Sequence, residues 1–238
     1  MRLKHNVTNY AAIFAVILST SCLTHGADKS SSSVHKYTAE VAKLTVEPAP
    51  APEGILMVGS SIFRRWTNCV QDLAPLPVRN RAFGGSRTED QLFFFDQIVP
   101  SSRAALVVWY CGSNDINGKK TPEAIRQNTK EWLERTRSAL PRAHILLVSV
   151  IRAPQKRTAG LLPKVDEVNK ELAKLAGAFP GVAYIDVNPG LETADGAPMA
   201  ANYVADNLHL TEEAYRRMTS ILRPVMEKEW KAALAFKP

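Results

Sequence analysis

The stretch ILMVGSSIFRRW, residues Ile55 to Trp66, runs four apolar residues into a glycine and two adjacent serines. ILMVG has the length and composition of a buried strand. Serines at the end of such a strand act as turn residues, as a phosphate cradle or as a nucleophile. Four more apolar runs suit buried strands: LPVRN (76–80), ALVVWYC (105–111), HILLVSVI (144–151) and VAYIDV (182–187). Helical stretches lie between them. The clearest is TPEAIRQNTKEWLERTRSAL, with Thr121 as N-cap, Pro122 at the first helical position and Glu123 in the first turn. TEDQLFFFDQIV, PKVDEVNKELAKLAGAF and the terminal TEEAYRRMTSILRPVMEKEWKAALA are the others, and Pro224 is expected to kink or break the last. Strands alternating with helices imply βαβ units, hence a parallel sheet with helices on both faces. Such folds work at the carboxyl ends of their strands. The residues at those ends are GSS, GGS, CGSND and, beyond the last strand, a loop ending in ADNLHLT.

The 238 residues, 45% of them hydrophobic, suffice for one well-cored α/β domain. The chain opens MRLKHNVTNYAAIFAVILSTSCLTHG, a basic start followed by a short apolar core and small residues. This is the layout of a secretory signal peptide over residues 1–26. The run Ala11 to Leu18 is too short to span a bilayer of about 30 Å. No stable membrane insertion is expected once the leader is gone, and the localisation expected is secreted or periplasmic. A lipoprotein anchored at Cys22 fits less well, because Ser19 stands where leucine is usual. Residues 27–53, with a serine run and EPAPAPE, read as a flexible linker, leaving 54–238 as the folded domain. Formal net charge is +7; without Arg2 and Lys4 of the leader, 28 basic residues face 23 acidic ones. With no run of like charge and no basic stripe among aromatics, nucleic acid is not an expected partner. Cys69 and Cys111 remain after the leader and either pair or stay buried thiols.

A nucleophilic serine needs a base, a carboxylate to orient that base, and donors for the oxyanion. Of the five histidines, His5 and His25 fall in the leader, His35 in the linker, and His144 opens an apolar strand. That leaves His209, three residues after Asp206, a spacing one tight turn can present together. Gly84 and Gly85 follow the second strand, where a backbone N–H can approach a substrate, and Asn114 follows the third. GSNDINGKKT misses the phosphate-binding P-loop, since five residues rather than four separate Gly112 from Gly118 and Lys120 stands where Ser or Thr belongs. The G-x-S-x-G elbow of α/β-hydrolases is absent.

From about Ile55 to Trp230 the sequence resembles the SGNH, or GDSL-type, hydrolases, and most closely their acetylhydrolase-like branch. Four blocks carry the resemblance in order: Gly59-Ser60-Ser61, the Gly85 of NRAFGGSRT, Gly112-Ser113-Asn114-Asp115, and Asp206 with His209. The resemblance implies a three-layer α/β/α, flavodoxin-like fold on a five-stranded parallel sheet. It implies a catalytic triad of Ser61, His209 and Asp206. Its oxyanion hole would be Ser61, Gly85 and Asn114. The family's Gly-Asp-Ser is here Gly-Ser-Ser, so Ser60 replaces an aspartate outside the triad and is read as a turn or supporting residue. Neither metal nor cofactor is expected.

The activity implied is that of a secreted serine esterase acting on short-chain acyl esters, acetyl above all, as small molecules or on carbohydrate. A lipid-directed acylhydrolase or thioesterase would share the triad and differ in the acyl pocket, and a non-catalytic binding protein would keep only the shape. Phe93-Phe94-Phe95 would either line an acyl pocket or pack a helix on the sheet. Arg64, Arg65, Arg87 and Arg152 lie near strand ends and either meet an anionic group or face solvent.

Overall fold

The computed structural model describes residues 30–46 and 51–235. Its five strands are β1 (Ile55–Gly59), β2 (Val78–Asn80), β3 (Leu106–Tyr110), β4 (His144–Val148) and β5 (Val182–Ile185). All pairings are parallel, in the order β2-β1-β3-β4-β5. This is the flavodoxin-like order, whose chain reverses direction across the sheet between β1 and β3. β2 is shorter than the apolar run it came from because Pro77 has no N–H for the ladder and contributes only its carbonyl, to Ile55 N–H at 2.9 Å.

The pleat sends alternate side chains to opposite layers. Leu56, Val58, Val107, Trp109, Ile145 and Leu147 enter one core, while Ile55, Met57, Val108, Tyr110, Leu146 and Val148 enter the other. On the first face pack α1 (Ser30–Val46), α4 (Thr88–Phe93), α5 (Phe95–Ile98), α7 (Pro122–Ala139) and α9 (Leu162–Ala178). The second face is covered by α2 (Ser61–Arg64), α3 (Cys69–Asp72) and α10 (Glu212–Ala235). Two short helices, α6 (Ser113–Asn117) and α8 (Pro154–Thr158), follow β3 and β4 at the carboxyl end of the sheet. The chain is therefore a three-layer α/β/α domain.

Thr121 caps α7 by accepting from Ala124 N–H at 3.2 Å, with Pro122 in the first turn. α10 runs through Pro224 unbroken; Leu222 and Met226, both fully buried, hold the turns on either side against the sheet. TEDQLFFFDQIV folds as two short helices that meet at Phe94. Phe94 and Phe95 are buried in the core, whereas Phe93 is exposed. Cys69 and Cys111 are free thiols on opposite faces of the sheet.

The flexible linker expected over 27–53 needs correction, because Ser30–Val46 is helical. The serine and Ala-Pro runs at its two ends mask a short apolar stripe. Tyr37, Val41 and Leu44 recur at helical spacing, and the first two are buried in the core. That burial supplies what weak local propensity does not. Residues 1–29, which contain the expected signal peptide and Cys22, lie outside the described residues.

Candidate active site

The site is built at the carboxyl ends of β1, β2 and β3 and in the loop before α10. β1 ends at Gly59, whose φ is +146° and where an added Cβ would stand 2.0 Å from the Tyr110 carbonyl oxygen. Only glycine fits so close to the neighbouring strand. Ser60 follows with extended backbone at the N-cap of α2, its side chain buried and its Oγ without a hydrogen-bond partner. Ser61 is the first residue of α2, so its N–H has no acceptor within the helix and faces outward at the helix start.

His209 Nε2 lies 2.8 Å from Ser61 Oγ. Its Nδ1 lies 2.6 Å from Asp206 Oδ2. The other carboxylate oxygen of Asp206 accepts the backbone N–H groups of Leu208 at 3.0 Å and His209 at 2.9 Å. Asn207, with φ +56°, makes the turn that lets residues 206 and 209 face one another. Desolvation opposes ionisation of Asp206, but the His209 and Leu208 hydrogen bonds outweigh it and hold the carboxyl down at about 2. Asp206 is thus held in its ionised form, its carboxylate fixed by the backbone N–H groups of Leu208 and His209. Arg65 Nη1 adds a long contact at 3.9 Å.

Gly85, with φ +77°, sits in the turn after β2. That turn is tied to β1 through the Gly59 carbonyl, which accepts Phe83 N–H at 3.0 Å and Gln91 Nε2 at 2.9 Å. Asn114 Nδ2 donates to the Ser86 carbonyl at 2.9 Å. One amide proton is thereby anchored beside Gly85, which fixes which side of the carboxamide bears the nitrogen and leaves the second proton available. α6, which carries Asn114, starts at Gly112 (φ +118°) and is held by Asp115. The Asp115 carboxylate is almost completely buried and accepts Thr88 Oγ1 at 2.6 Å and Thr88 N–H at 3.1 Å.

Ser61, Asp206 and His209 therefore form one hydrogen-bonded row, and Asn114 joins the turn that carries Gly85. Ser60 is outside the row. His144 stands at the opposite end of the sheet, its Nδ1 2.9 Å from Glu229. The four arginines near strand ends all have acidic neighbours: Arg64 pairs with Glu40, Arg65 with Asp206, Arg87 with Glu89, and Arg152 with Asp166 and Glu192.

Three supports of the site were not singled out in the sequence. Gln91, buried in α4, also donates to Ser86 Oγ at 2.8 Å and so braces the turn of Gly85. Tyr37 of α1 packs edge-on against Phe83 at 5.1 Å, its hydroxyl 3.5 Å from where a Cβ on Gly85 would stand. Burial first, then the nearby Asp90, pushes its phenol up to about 12. Lys156 of α8 is fully buried behind α6. Only the helical spacing of Tyr37 and Val41 left a trace in the sequence.

A site of this kind can activate a hydroxyl for attack on a carbonyl. The model of the GDSL-like lipase/acylhydrolase family matches residues 53–217. Among solved structures, a GDSL-like lipase from Bacteroides thetaiotaomicron is 21% identical, with a TM-score of 0.67 over 82% of this chain and 97% of that one. A member of the lipolytic protein G-D-S-L family from Veillonella parvula is 19% identical, with a TM-score of 0.62 over 74% and 98%. A carbohydrate esterase family 3 protein from Talaromyces cellulolyticus is 14% identical, with a TM-score of 0.59 over 75% and 99%. These likenesses bear on the fold. No curated protein sequence matches the chain.

Proposed function

Because the chain belongs to the GDSL-like lipase/acylhydrolase family, whose members are carboxylic ester hydrolases, we propose that it is an exported serine esterase that removes short acyl groups, acetyl above all, from small or carbohydrate esters. The observation that carries this reading is the row Ser61 Oγ, His209 Nε2, His209 Nδ1, Asp206 Oδ2, with its contacts of 2.8 and 2.6 Å.

Ser61 Oγ attacks the ester carbonyl as His209 Nε2 takes its proton. Asp206, ionised throughout, keeps the Nδ1 proton on its own side and stabilises the imidazolium. The carbonyl oxygen, now negative, is held by the N–H groups of Ser61 and Gly85 and by Asn114 Nδ2. His209 returns the proton to the leaving alcohol as the C–O bond breaks. Water, deprotonated by the same histidine, then attacks the acyl-enzyme, and release of the carboxylic acid restores Ser61. Losing one oxyanion donor of this kind costs about 10²–10³ in turnover.

The preference for a short acyl group is supported by where the aromatics lie. Phe94 and Phe95, two of the three residues that were candidates for an acyl pocket, are committed to the core. Beside the His209 loop lies a cavity of about 220 Å³ lined by Arg65, Trp66, Leu210 and Tyr215, while larger ones of about 380 and 400 Å³ lie at the amino end of the sheet and between α1 and α3. Export rests on the basic and apolar leader of residues 1–26. Among the described residues, no helix is long and apolar enough to cross a membrane.

The test is hydrolysis of p-nitrophenyl acetate, butyrate and octanoate and of acetylated xylan, with a fluorophosphonate probe mapped to its peptide. Labelling of Ser61 and a kcat/KM at least about tenfold higher for acetate than for octanoate are expected. A preference for octanoate would transfer the reading to a lipid-directed acylhydrolase or thioesterase. No label on a folded sample would remove the catalytic reading.

A further inference from the structure

Lys156 lies in APQKRTAG, a segment that reads as a polar surface loop, yet its side chain is fully buried. A lysine so placed is rare unless its ammonium has partners. Here Nζ donates to the Ser113 carbonyl at 2.9 Å and to Asn117 Oδ1 at 2.6 Å. Both acceptors belong to α6, and the first is the peptide that leads into Asn114. On its other side, α6 is tied to Thr88 by Asp115. The helix that presents Asn114 is thus held from two directions.

The helix that carries Lys156 makes a second contact. The N–H of Gln155 in α8 donates to the carbonyl of Asn207 at 2.9 Å. Asn207 is the left-handed residue of the turn between Asp206 and His209. α8 bears none of the reacting groups, but it touches both the oxyanion helix and the turn of the base.

We propose that Lys156 is a positioning residue that acts through Asn114, and that α8 is a brace locking the oxyanion donor and the Asp206–His209 turn into one frame. This rests on the role given to Asn114 above. A hydrogen bond from an ammonium is roughly twice as strong as one between neutral groups, so two of them fix the Ser113–Asn114 peptide firmly. A productive site tolerates only about 0.5 Å of misplacement. If α8 merely filled space, an apolar side chain of the same length would serve as well, since a buried charge is seldom the most stable occupant of such a site. What methionine cannot supply is two directed donors.

The test is a double-mutant cycle on the mature protein with Lys156→Met and Asn114→Ala, read by kcat and KM on p-nitrophenyl acetate and by the rate of fluorophosphonate labelling. Lys156→Met is expected to unfold cooperatively, to lose about tenfold in kcat and to change KM less than about twofold. In the Asn114→Ala background the same change is expected to cost less than about twofold in the labelling rate, because its route of action is already gone. Asn117→Ala, at an exposed position, removes one of the two acceptors and is expected to lower kcat about threefold even if Lys156→Met folds poorly. Unchanged kcat in both Lys156→Met and Asn117→Ala, or an equal loss on both backgrounds, overturns the proposal. Normal turnover by Asn114→Ala would overturn the oxyanion assignment and this inference with it. A crippled Asn114→Ala beside normal turnover in both Lys156→Met and Asn117→Ala would overturn the inference alone.

Discussion

The buried ammonium of Lys156 also makes stability depend on pH in a definite direction. Burial lowers its pKa from 10.5 to about 8, although the Asp115 carboxylate pulls the other way. In the unfolded chain a lysine titrates near about 10.4. Below about pH 8 both states hold the proton, and the full penalty, about 3 kcal/mol, weighs against folding. Between about 8 and 10.4 the unfolded chain binds a proton that the native state has released, so stability rises with pH. From pH 7 to 9.5 this group alone should add about 2 kcal/mol to the stability of the native protein. Lys156→Met abolishes the titration. It also takes the ammonium from the Ser113 carbonyl and leaves Asn117 Oδ1 with only the Gln155 amide at 3.3 Å, a cost that does not vary over this range. The two proteins therefore differ by a constant offset plus the titration of Lys156, and only the second changes with pH. Urea unfolding followed by tryptophan fluorescence, with Trp66, Trp109 and Trp132 all buried reporters, gives both curves. The native protein should gain about 2 kcal/mol on the variant from pH 7 to 9.5. Parallel curves, or a gain by the variant, would refute the idea that a charged lysine is enclosed behind α6.

Three further outcomes follow from the site. Asp206→Asn should lower kcat by about 10⁴ with an unchanged melting curve, because the amide oxygen can still accept the Leu208 and His209 N–H groups while its nitrogen faces the imidazole wrongly; a loss under tenfold would remove Asp206 from the triad. Gly59→Ala should destabilise the protein by more than about 3 kcal/mol, since the new methyl meets the Tyr110 carbonyl at a backbone angle that side chains avoid; a variant that melts like the parent would show that β1 and β3 can part. Ser60→Ala should leave fluorophosphonate labelling intact and change stability by less than about 1 kcal/mol, because its Oγ has no partner to lose; loss of the label would make Ser60 the nucleophile.

The strands were legible because each is a short apolar run bounded by proline, glycine or charge, and burial on both faces of a central parallel strand demands such a run. Their order is beyond what a run of apolar residues encodes, and it came from the resemblance rather than from the runs themselves. α1 was missed for a local reason. Serine and Ala-Pro composition dominates the segment, and its helix exists only because Tyr37 and Val41 find the core beside Phe83. Pro224 was overweighted for the converse reason: proline removes one ladder bond, and the buried residues on both sides compensate within a 24-residue helix.

The residues placed in the site divide along the same line. Ser61, Gly85, Asn114, Asp206 and His209 stand immediately beyond strands or in a tight turn, so chain position alone exposes them to a reader who knows where such sheets work. Lys156, Gln91 and Thr88 touch no expected substrate. Their contacts join segments between 5 and 43 residues apart, and nothing in their own neighbourhoods marks them. Chemistry requires particular side chains at strand ends, and that requirement is local. Holding those side chains within a fraction of an ångström requires buried polar contacts between segments, and those exist only once the chain has folded. A sequence therefore displays the reacting groups of such a site far better than the frame that keeps them in register. That frame, here α6 between Asp115 and Lys156, is where substitutions with no visible motif should have the largest unexplained effects on turnover.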